Sequence, residues 1–477
     1  MLIVVILDNG HGVILTTKIK IKNKHKLLVI LVLTTYVFNK EKYMKIFKFV
    51  SIVNILILLV FIIGCSNKIN ENAQGYLDDL DIIDTTLIMH TSSSLFNNCS
   101  QEQYDNKLNS LKNDIQTKNM TNNEINCRIR ELCAILNNSH ISYNPTNMQY
   151  KVFPIQGKYF GDDFCITNIE EKNSEALGGK LIEINDIPFS NIENKYDSII
   201  SNENIQILKS KIEQSSFRDC EFDYLGILKK KNTFKIKLLN GEIKEFIIDP
   251  IDSSEIEDLN NNPNTFLNIN TSSQIRYKNN DIYWYTIDSK NRILYFQYNL
   301  CVDKFDKQID DYVDFSQLPS FTDFENQLHE YLENHINEYD KIVVDVRNNQ
   351  GGYEKHFNDF IENNLQVLNS KKVYMLISKN TFSAGAMAVD SAVEKCNAIM
   401  VGEETGSPKK LNSCNSITLP NMKGNLLYAN SQQYENIYAG KNSKSDLEGL
   451  IPDIVVSHTI ENCIIGKDED YEAVIND

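Results

Sequence analysis

Ser383 lies at a position where a serine could act as a nucleophile. It follows the apolar run at 373–377, which predicts a strand, and precedes the small-residue run at 384–395, which predicts a helix. A serine at such a turn has an exposed hydroxyl, backbone N–H donors nearby and the positive end of a helix dipole. These features could stabilise an oxyanion, although a serine in front of a helix is more often only an N-cap.

Three further segments combine an apolar run with a polar or glycine-containing turn. They are KIVVDVRNNQGG at 341–352, VGEETG at 401–406 and LEGLIPDIVV at 447–456. Together with Ser383, in this order and spacing, they resemble the S41 peptidases, the family of C-terminal processing proteases and tricorn-type proteases. The resemblance implies that Ser383 is the nucleophile and that the amides of Gly351 or Gly352 and of Ala384 form the oxyanion hole.

The general base has two candidates, because S41 peptidases use either a lysine or a histidine. Processing proteases carry the lysine in a Gly-Glu-x-x-x-Gly-Lys stretch, but here that position falls on Pro408 and the lysine follows at Lys409. The tricorn-type arrangement uses an upstream histidine preceded by a serine, which Ser139 and His140 match within LNNSHISY. The resemblance then implies that His140 takes the proton of the nucleophile and that Glu448, through Ser139, fixes the imidazole tautomer.

The acidic residues around this site leave alternatives open. Glu403 or Glu404 could replace Glu448 as the acidic member. Asp345 and Arg347 are expected to hold the oxyanion loop as an ion pair rather than to take part in the chemistry. A histidine base must be neutral, so activity is expected to rise as the pH passes through roughly 6 to 7.

Residues 44–65 have the parts of a bacterial lipoprotein signal. A short basic region precedes an apolar run at 49–63, and Gly64, Cys65 and Ser66 follow. The end of this run resembles a lipobox, which implies a lipid anchor on Cys65 and a location on the extracytoplasmic face of the cell membrane. The alternative is an uncleaved membrane anchor, because the run is near the short limit for a spanning helix. Residues 1–43 are interpreted as a non-native segment upstream of a start at Met44.

Composition argues against several classes of function. The formal net charge of −16 argues against nucleic-acid binding, which needs a basic face. The sequence has no nucleotide-binding glycine pattern and no HExxH motif, so no cofactor or metal is expected. Nine of the ten cysteines remain beside Cys65, and they are scattered without a Cys-x-x-Cys pair. This spacing predicts mostly free thiols.

The predicted fold class is α/β with several domains. A tether and an N-terminal helical domain occupy 66–150, a PDZ-like domain 151–250, a linker 251–281 and the S41 catalytic core 282–477. Strands and helices alternate in the last region, which predicts mainly parallel pairing, and the resemblance implies a crotonase-like core. Within 151–250, the pair Asn240-Gly241 predicts a hairpin, and a plain β-rich spacer is the alternative to a PDZ-like domain.

The sequence therefore predicts an exported, lipid-anchored serine endopeptidase that acts on polypeptides. One alternative is a non-catalytic peptide-binding lipoprotein that keeps the fold. A second is a Ser–Lys processing protease that uses Lys409. A third is an acyl-CoA-handling enzyme with the same core architecture, because a fold does not determine a function.

Overall fold

The computed structural model describes residues 72–91, 99–255, 265–269, 271, 273–306, 315–437, 439 and 442–477, and the backbone of three strands nearer the N-terminus. The predicted signal segment with Cys65, and the first part of the predicted tether, lie outside the described residues. No helix among the described residues is both long and apolar enough to cross a membrane. The chain forms two compact units, one of residues 1–71 with 116–119 and one of residues 72–115 with 120–477.

The first unit contains a three-stranded antiparallel sheet. Its strands are Leu2–Asp8, His11–Thr17 and Thr35–Asn39, and the middle strand pairs with both others. All three strands fall within 1–43. The interpretation of this segment as non-native stays a prediction.

Three helices follow at Ala73–Thr91, Gln101–Thr117 and Asn122–Ala134. The third begins at a capping box, in which Thr121 and Glu124 each bind the other's backbone N–H. The helices pack their apolar faces together and against a small sheet of the strands Ser142–Asn144, Lys410–Thr418 and Asn425–Asn436. The loop that carries His140 is therefore held between the third helix and the first of these strands.

A β-rich region occupies most of the predicted PDZ-like domain. Its sheet contains the strands Ile155–Phe160, Asp163–Glu170, Lys180–Ile184, Ile187–Pro188, Thr233–Lys237, Ile243–Ile247 and Phe266–Asn268. Three helices accompany it at Phe189–Asp197, Ile205–Gln214 and Asp219–Tyr224. The predicted hairpin is present, with Gly241 at a φ of 86°.

The predicted linker contributes pairing rather than only a connection. Its strand Ile251–Asp252 pairs with Lys151–Val152, and its strand Phe266–Asn268 pairs with Asp163–Glu170. Short 3₁₀ helices lie at Glu171–Ala176, Ile275–Tyr277 and Phe315–Gln317.

The last region is built on a six-stranded sheet with the strand sequence Tyr283–Asp288, Ile293–Tyr298, Lys341–Asp345, Lys372–Ile377, Ile399–Gly402 and Ile454–Val455. The first pair is antiparallel and the others are parallel, as the alternation of strands and helices predicts. Three helices cover one face, at Phe321–Asn334, Lys355–Asn369 and Ala384–Cys396. The other face packs against Glu469–Asn476, and a short helix precedes it at Ile460–Ile464.

Successive residues of the central strands face opposite sides of the sheet, and both sides are buried. Val344 packs under the three helices, whereas Val343 packs toward the C-terminal helix. Because the three central strands are parallel, the loops that follow them meet at one edge of the sheet. These loops carry Gly351 and Gly352, Ser383, and the 403–409 segment.

Candidate active site

Ser383 occupies a strained turn at the start of the helix Ala384–Cys396. Its φ of 52° and ψ of −126° lie in a region that residues with a side chain rarely adopt. Its hydroxyl makes no capping hydrogen bond to the helix. Ser383 thus occupies the N-cap position, but its Oγ does not cap the helix.

The turn is held by both neighbouring loops. The hydroxyl of Thr381 donates to the carbonyl of Val346 at 2.9 Å, and the N–H of Phe382 donates to the carbonyl of Asn349 at 2.9 Å. The N–H of Ser383 donates to Oγ of Ser407 at 3.2 Å. These bonds to surrounding structure offset the strain of the serine conformation.

His140 reaches Ser383 from 243 residues earlier in the chain. Its Nε2 lies 3.2 Å from Oγ of Ser383, and its ring stacks on Phe382 with the ring centres 4.8 Å apart. The backbone N–H of His140 donates to the side-chain oxygen of Asn138 at 3.0 Å. For Nε2 to accept the serine proton, the ring proton must be on Nδ1, which is the tautomer that a general base requires.

The imidazole is only 3% exposed, and its environment favours the neutral form. Burial, and secondarily the charge of Lys211, lower the pKa of His140 to about 4. The imidazole of His140 is therefore neutral well below pH 6. The rise of activity expected between pH 6 and 7 assumed the pKa of a solvated imidazole, so the burial of His140 moves the expected rise to lower pH.

The backbone of Gly351 packs closely against Ser383 and Ala384. A Cβ on Gly351 would lie 2.8 Å from Cβ of Ser383 and 3.0 Å from the nitrogen of Ala384, so only glycine allows this approach. The N–H of Gly351 itself donates to the side-chain oxygen of Asn349 at 2.9 Å. Among the described residues, no group accepts from the N–H of Gly352 or of Ala384. These two donors remain available for an oxyanion.

Asp345 and Arg347 form an ion pair, as expected, and it is part of a larger buried cluster. The Arg347 guanidinium contacts Asp345 at 2.5 Å and also binds Asp468 and Asp470 at 2.7 and 2.8 Å. The guanidinium helps to hold the pKa of Asp345 down at about 2 despite its burial. The cluster ties the oxyanion loop to the segment that precedes the C-terminal helix.

Glu448 and the other predicted acidic candidates lie apart from the imidazole. A carboxylate oxygen of Glu448 accepts the N–H of Lys444 at 2.5 Å, and that of Glu404 accepts the N–H of Gly449 at 3.0 Å. Glu403 pairs with His458 at 3.1 Å. Within the described ranges, no carboxylate hydrogen-bonds to His140, so the role of Glu448 stays a prediction.

Glu203, a residue not predicted from the sequence, contacts the loop that carries Ser139 and His140. Its carboxylate accepts the N–H of Ser139 at 2.8 Å, and burial raises its pKa. Glu203 precedes Asn204, the N-cap of the helix Ile205–Gln214 in the β-rich region. No local motif marks this glutamate, because its partner lies 64 positions away.

Lys409 does not contact the serine. Its N–H donates to the carbonyl of Glu448 at 2.8 Å. Among the described residues, His140 is the one side chain that hydrogen-bonds to the Ser383 hydroxyl. The geometry thus favours the histidine over the lysine as the base.

The chain matches no protein-family model, and no curated protein is significantly similar to it in sequence. Among solved structures, it is similar to mature CPAF complexed with lactacystin, with a TM-score of 0.55 and 12% identity over 85% of this chain and 97% of that chain. A second structure of mature CPAF gives 0.54 and 12% over 85% and 96%. Tricorn protease gives 0.38 and 13% over 85% and 36%, too low a score to add to the argument. The chain thus has the fold of mature CPAF, and several of its structural neighbours are S41-family peptidases, as the sequence resemblance implies.

Proposed function

We propose that the chain is a serine endopeptidase in which Ser383 is the nucleophile and His140 the general base. The observation that carries this proposal is the 3.2 Å contact between Oγ of Ser383 and Nε2 of His140, at a serine whose hydroxyl has no capping role. The N–H groups of Gly352 and Ala384, which have no acceptor among the described residues, and the CPAF-like fold support it.

The reaction follows the general scheme of a serine hydrolase. Oγ of Ser383 attacks the peptide carbonyl carbon while Nε2 of His140 takes the hydroxyl proton. The tetrahedral oxyanion accepts hydrogen bonds from the N–H groups of Gly352 and Ala384. One donor of this kind lowers the barrier by about 3 kcal/mol.

Collapse of the tetrahedral intermediate breaks the carbon–nitrogen bond, and His140 gives its proton to the leaving amine. The acyl group then remains on Ser383. A water molecule, deprotonated by His140, attacks the acyl carbon and forms a second tetrahedral intermediate. Its collapse releases the carboxylic acid and returns the proton to Oγ of Ser383.

Glu203 is proposed as a positioning residue for the base. Its bond to the N–H of Ser139 fixes the backbone next to His140. This role differs from that predicted for Glu448, which was to orient the ring through Ser139. Glu203 and Glu448 can both contribute, because Glu203 holds the backbone of Ser139 whereas Glu448 would act on the side chain of Ser139.

Lipid anchoring through Cys65 is a separate proposal that rests on the lipobox-like sequence. An anchored enzyme would act on polypeptides at the extracytoplasmic face of the membrane. The Cys65→Ser variant is expected to leave the membrane fraction or to retain its signal segment. Unchanged membrane association of the variant, with an intact N-terminal segment in mass spectrometry of the wild-type protein as well, would instead support the uncleaved anchor.

A fluorophosphonate probe tests the catalytic proposal. Wild-type protein and a Ser391→Ala control, on the same helix, are expected to be labelled, with the adduct on Ser383 in peptide mapping. Ser383→Ala is expected to lose the label and keep its far-UV circular dichroism. Unlabelled wild-type protein would support the non-catalytic alternative, and hydrolysis of acyl-CoA thioesters without peptide hydrolysis would support the third alternative.

A further inference from the structure

A cleft of about 280 Å³ lies next to the base loop. Its walls come from the edge strand Ser142–Asn144, the helix Ile205–Gln214 and the loop before Asp219–Tyr224. Three cationic side chains line it, those of Arg130, Lys211 and Arg218, with serine hydroxyls between them. No aspartate or glutamate among the described residues is part of the lining. This composition is unusual in a chain with a net charge of −16.

Only one of these three cations has a described carboxylate in close contact. Arg130 contacts Glu221 at 2.5 Å, whereas Arg218 is 3.9 Å from the same carboxylate. Nε of Arg218 is buried and has no acceptor among the described residues. Nζ of Lys211 donates to the carbonyl of Ser201 at 2.6 Å, and no described carboxylate lies within 4.0 Å of it. Arg218 also lies over the Tyr150 ring, with its guanidinium carbon 4.4 Å from the ring centre, and the buried carboxylate of Glu203 acts on Lys211 only at longer range. Neither Lys211 nor Arg218 thus has a described carboxylate in direct contact, so both can bind an anion from outside.

The position of the cleft indicates what brings that anion. All three residues of the strand Ser142–Asn144 line the cleft, and this strand is the last of its sheet. Ser142 is two residues after His140, so a ligand here lies beside the catalytic loop. An extended peptide can add to the free edge of a sheet through its backbone, which makes a polypeptide a suitable occupant.

We propose that this cleft is a substrate subsite in which Lys211 and Arg218 bind a carboxylate of the polypeptide. The carboxylate is either an acidic side chain or the terminal carboxylate, since both present the same two oxygens to a guanidinium. The inference rests on the proposed peptidase function for the identity of the ligand. A carboxylate opposite Lys211 would also reduce the positive charge felt by His140.

Binding to the inactive Ser383→Ala protein tests the subsite without requiring catalysis. The probes are fluorescent decapeptides of neutral sequence in which one Glu moves through every position, with Gln peptides as partners. Each is made with a free and with an amidated C-terminus. Glu at one position, or the free terminus, is expected to strengthen binding at least about tenfold, the effect of one charge-assisted contact.

Charge-removing substitutions assign the effect to the cleft. Arg218→Gln and Lys211→Gln are each expected to reduce the preference for the carboxylate to about threefold or less. Lys237→Gln removes an equal charge from an exposed position of the β-rich region and is expected to keep the full preference. The arm that responds, Glu or the free terminus, identifies the source of the carboxylate.

Two results would overturn the subsite: equal binding of all Glu, Gln, free and amidated peptides, or a preference that survives in both cleft variants. Hydrolysis of the same peptides by wild-type protein is measured in parallel. A carboxylate preference without any hydrolysis would contradict the proposed function and leave the subsite supported. Hydrolysis without a preference would do the reverse.

Discussion

The pH dependence of peptide hydrolysis reports directly on the environment of His140. Burial, followed by the charge of Lys211, lowers its pKa to about 4. An imidazole with an ordinary pKa of about 6.5 would be only about one-tenth neutral at pH 5.5. With a pKa of about 4, about 97% of the imidazole is neutral at that pH. We therefore expect kcat/KM at pH 5.5 to lie within about twofold of its value at pH 7.5, rather than about tenfold below it.

The assay is kcat/KM on a quenched-fluorescent peptide between pH 3.5 and 8, since this quantity reports the ionisation of the free enzyme. Removing the charge in Lys211→Gln takes away the second cause of the shift, so the acid limb should move to higher pH. Lys237→Gln is the matched control and should leave the limb in place. The variants are compared by the pH at which kcat/KM falls on the acid side, not by the maximum value of kcat/KM.

Folding must be measured at each pH, because the same shift affects stability. The folded pKa of His140 lies below its unfolded value of about 6.5, so the unfolded state takes up the proton first as the pH falls. Stability is therefore lost as the pH falls from about 6.5 toward 4. Circular dichroism separates this loss from protonation of the base. An acid limb centred near pH 6.5 in protein that remains folded would refute the buried neutral imidazole.

Three further substitutions test the parts that surround this pair. Gly352→Ala should reduce kcat/KM at least about a hundredfold, because its Cβ would lie 2.1 Å from a backbone carbonyl oxygen, whereas Gly161→Ala, which also strains a residue of positive φ (63°) but meets open space, should retain activity. Arg347→Met should lower the free energy of unfolding in urea by about 3–5 kcal/mol because it leaves buried carboxylates unpaired; Arg292→Met, at an exposed ion pair, should lower it far less, and equal losses would contradict the argument. Glu203→Ala should lower kcat/KM roughly tenfold and Glu203→Gln, which keeps an acceptor, should restore most of it; equal rates in both variants would exclude a role in holding the base loop.

The central sheet could be predicted because its strands are buried on both faces. Continuous apolar runs mark Lys341–Asp345, Lys372–Ile377 and Ile399–Gly402, and the polar residues between them mark the turns. The helix that begins at Phe321 ends at Asn334, although the helical apolar pattern of the sequence continues to Tyr339. Tyr339 is nevertheless buried, and its hydroxyl donates to the carbonyl of Leu332. Its aromatic ring therefore continues the apolar pattern of the sequence beyond the end of the helix.

Contacts between segments that lie far apart in the chain could not be predicted from the sequence. The hairpin of Lys410–Thr418 and Asn425–Asn436 packs on the N-terminal helices. Its many asparagines and serines interrupt the apolar pattern, so the apolar residues that make this contact cannot be recognised from the sequence. The sequence left Gly351 and Gly352 equivalent, and it could not show that the side chain of Asn349 accepts a hydrogen bond from the N–H of Gly351. The role of Glu203 could not be predicted either, because only the folded chain brings its carboxylate to the N–H of Ser139.

The most direct test of the account compares His140→Ala with Lys409→Ala on one peptide substrate. Members of a catalytic unit act together, so loss of the base should lower kcat/KM by several orders of magnitude. Lys409 has no contact with the nucleophile among the described residues, and its variant should retain most of the wild-type activity. An active histidine variant together with an inactive lysine variant would contradict the Ser383–His140 pair and support a Ser–Lys dyad.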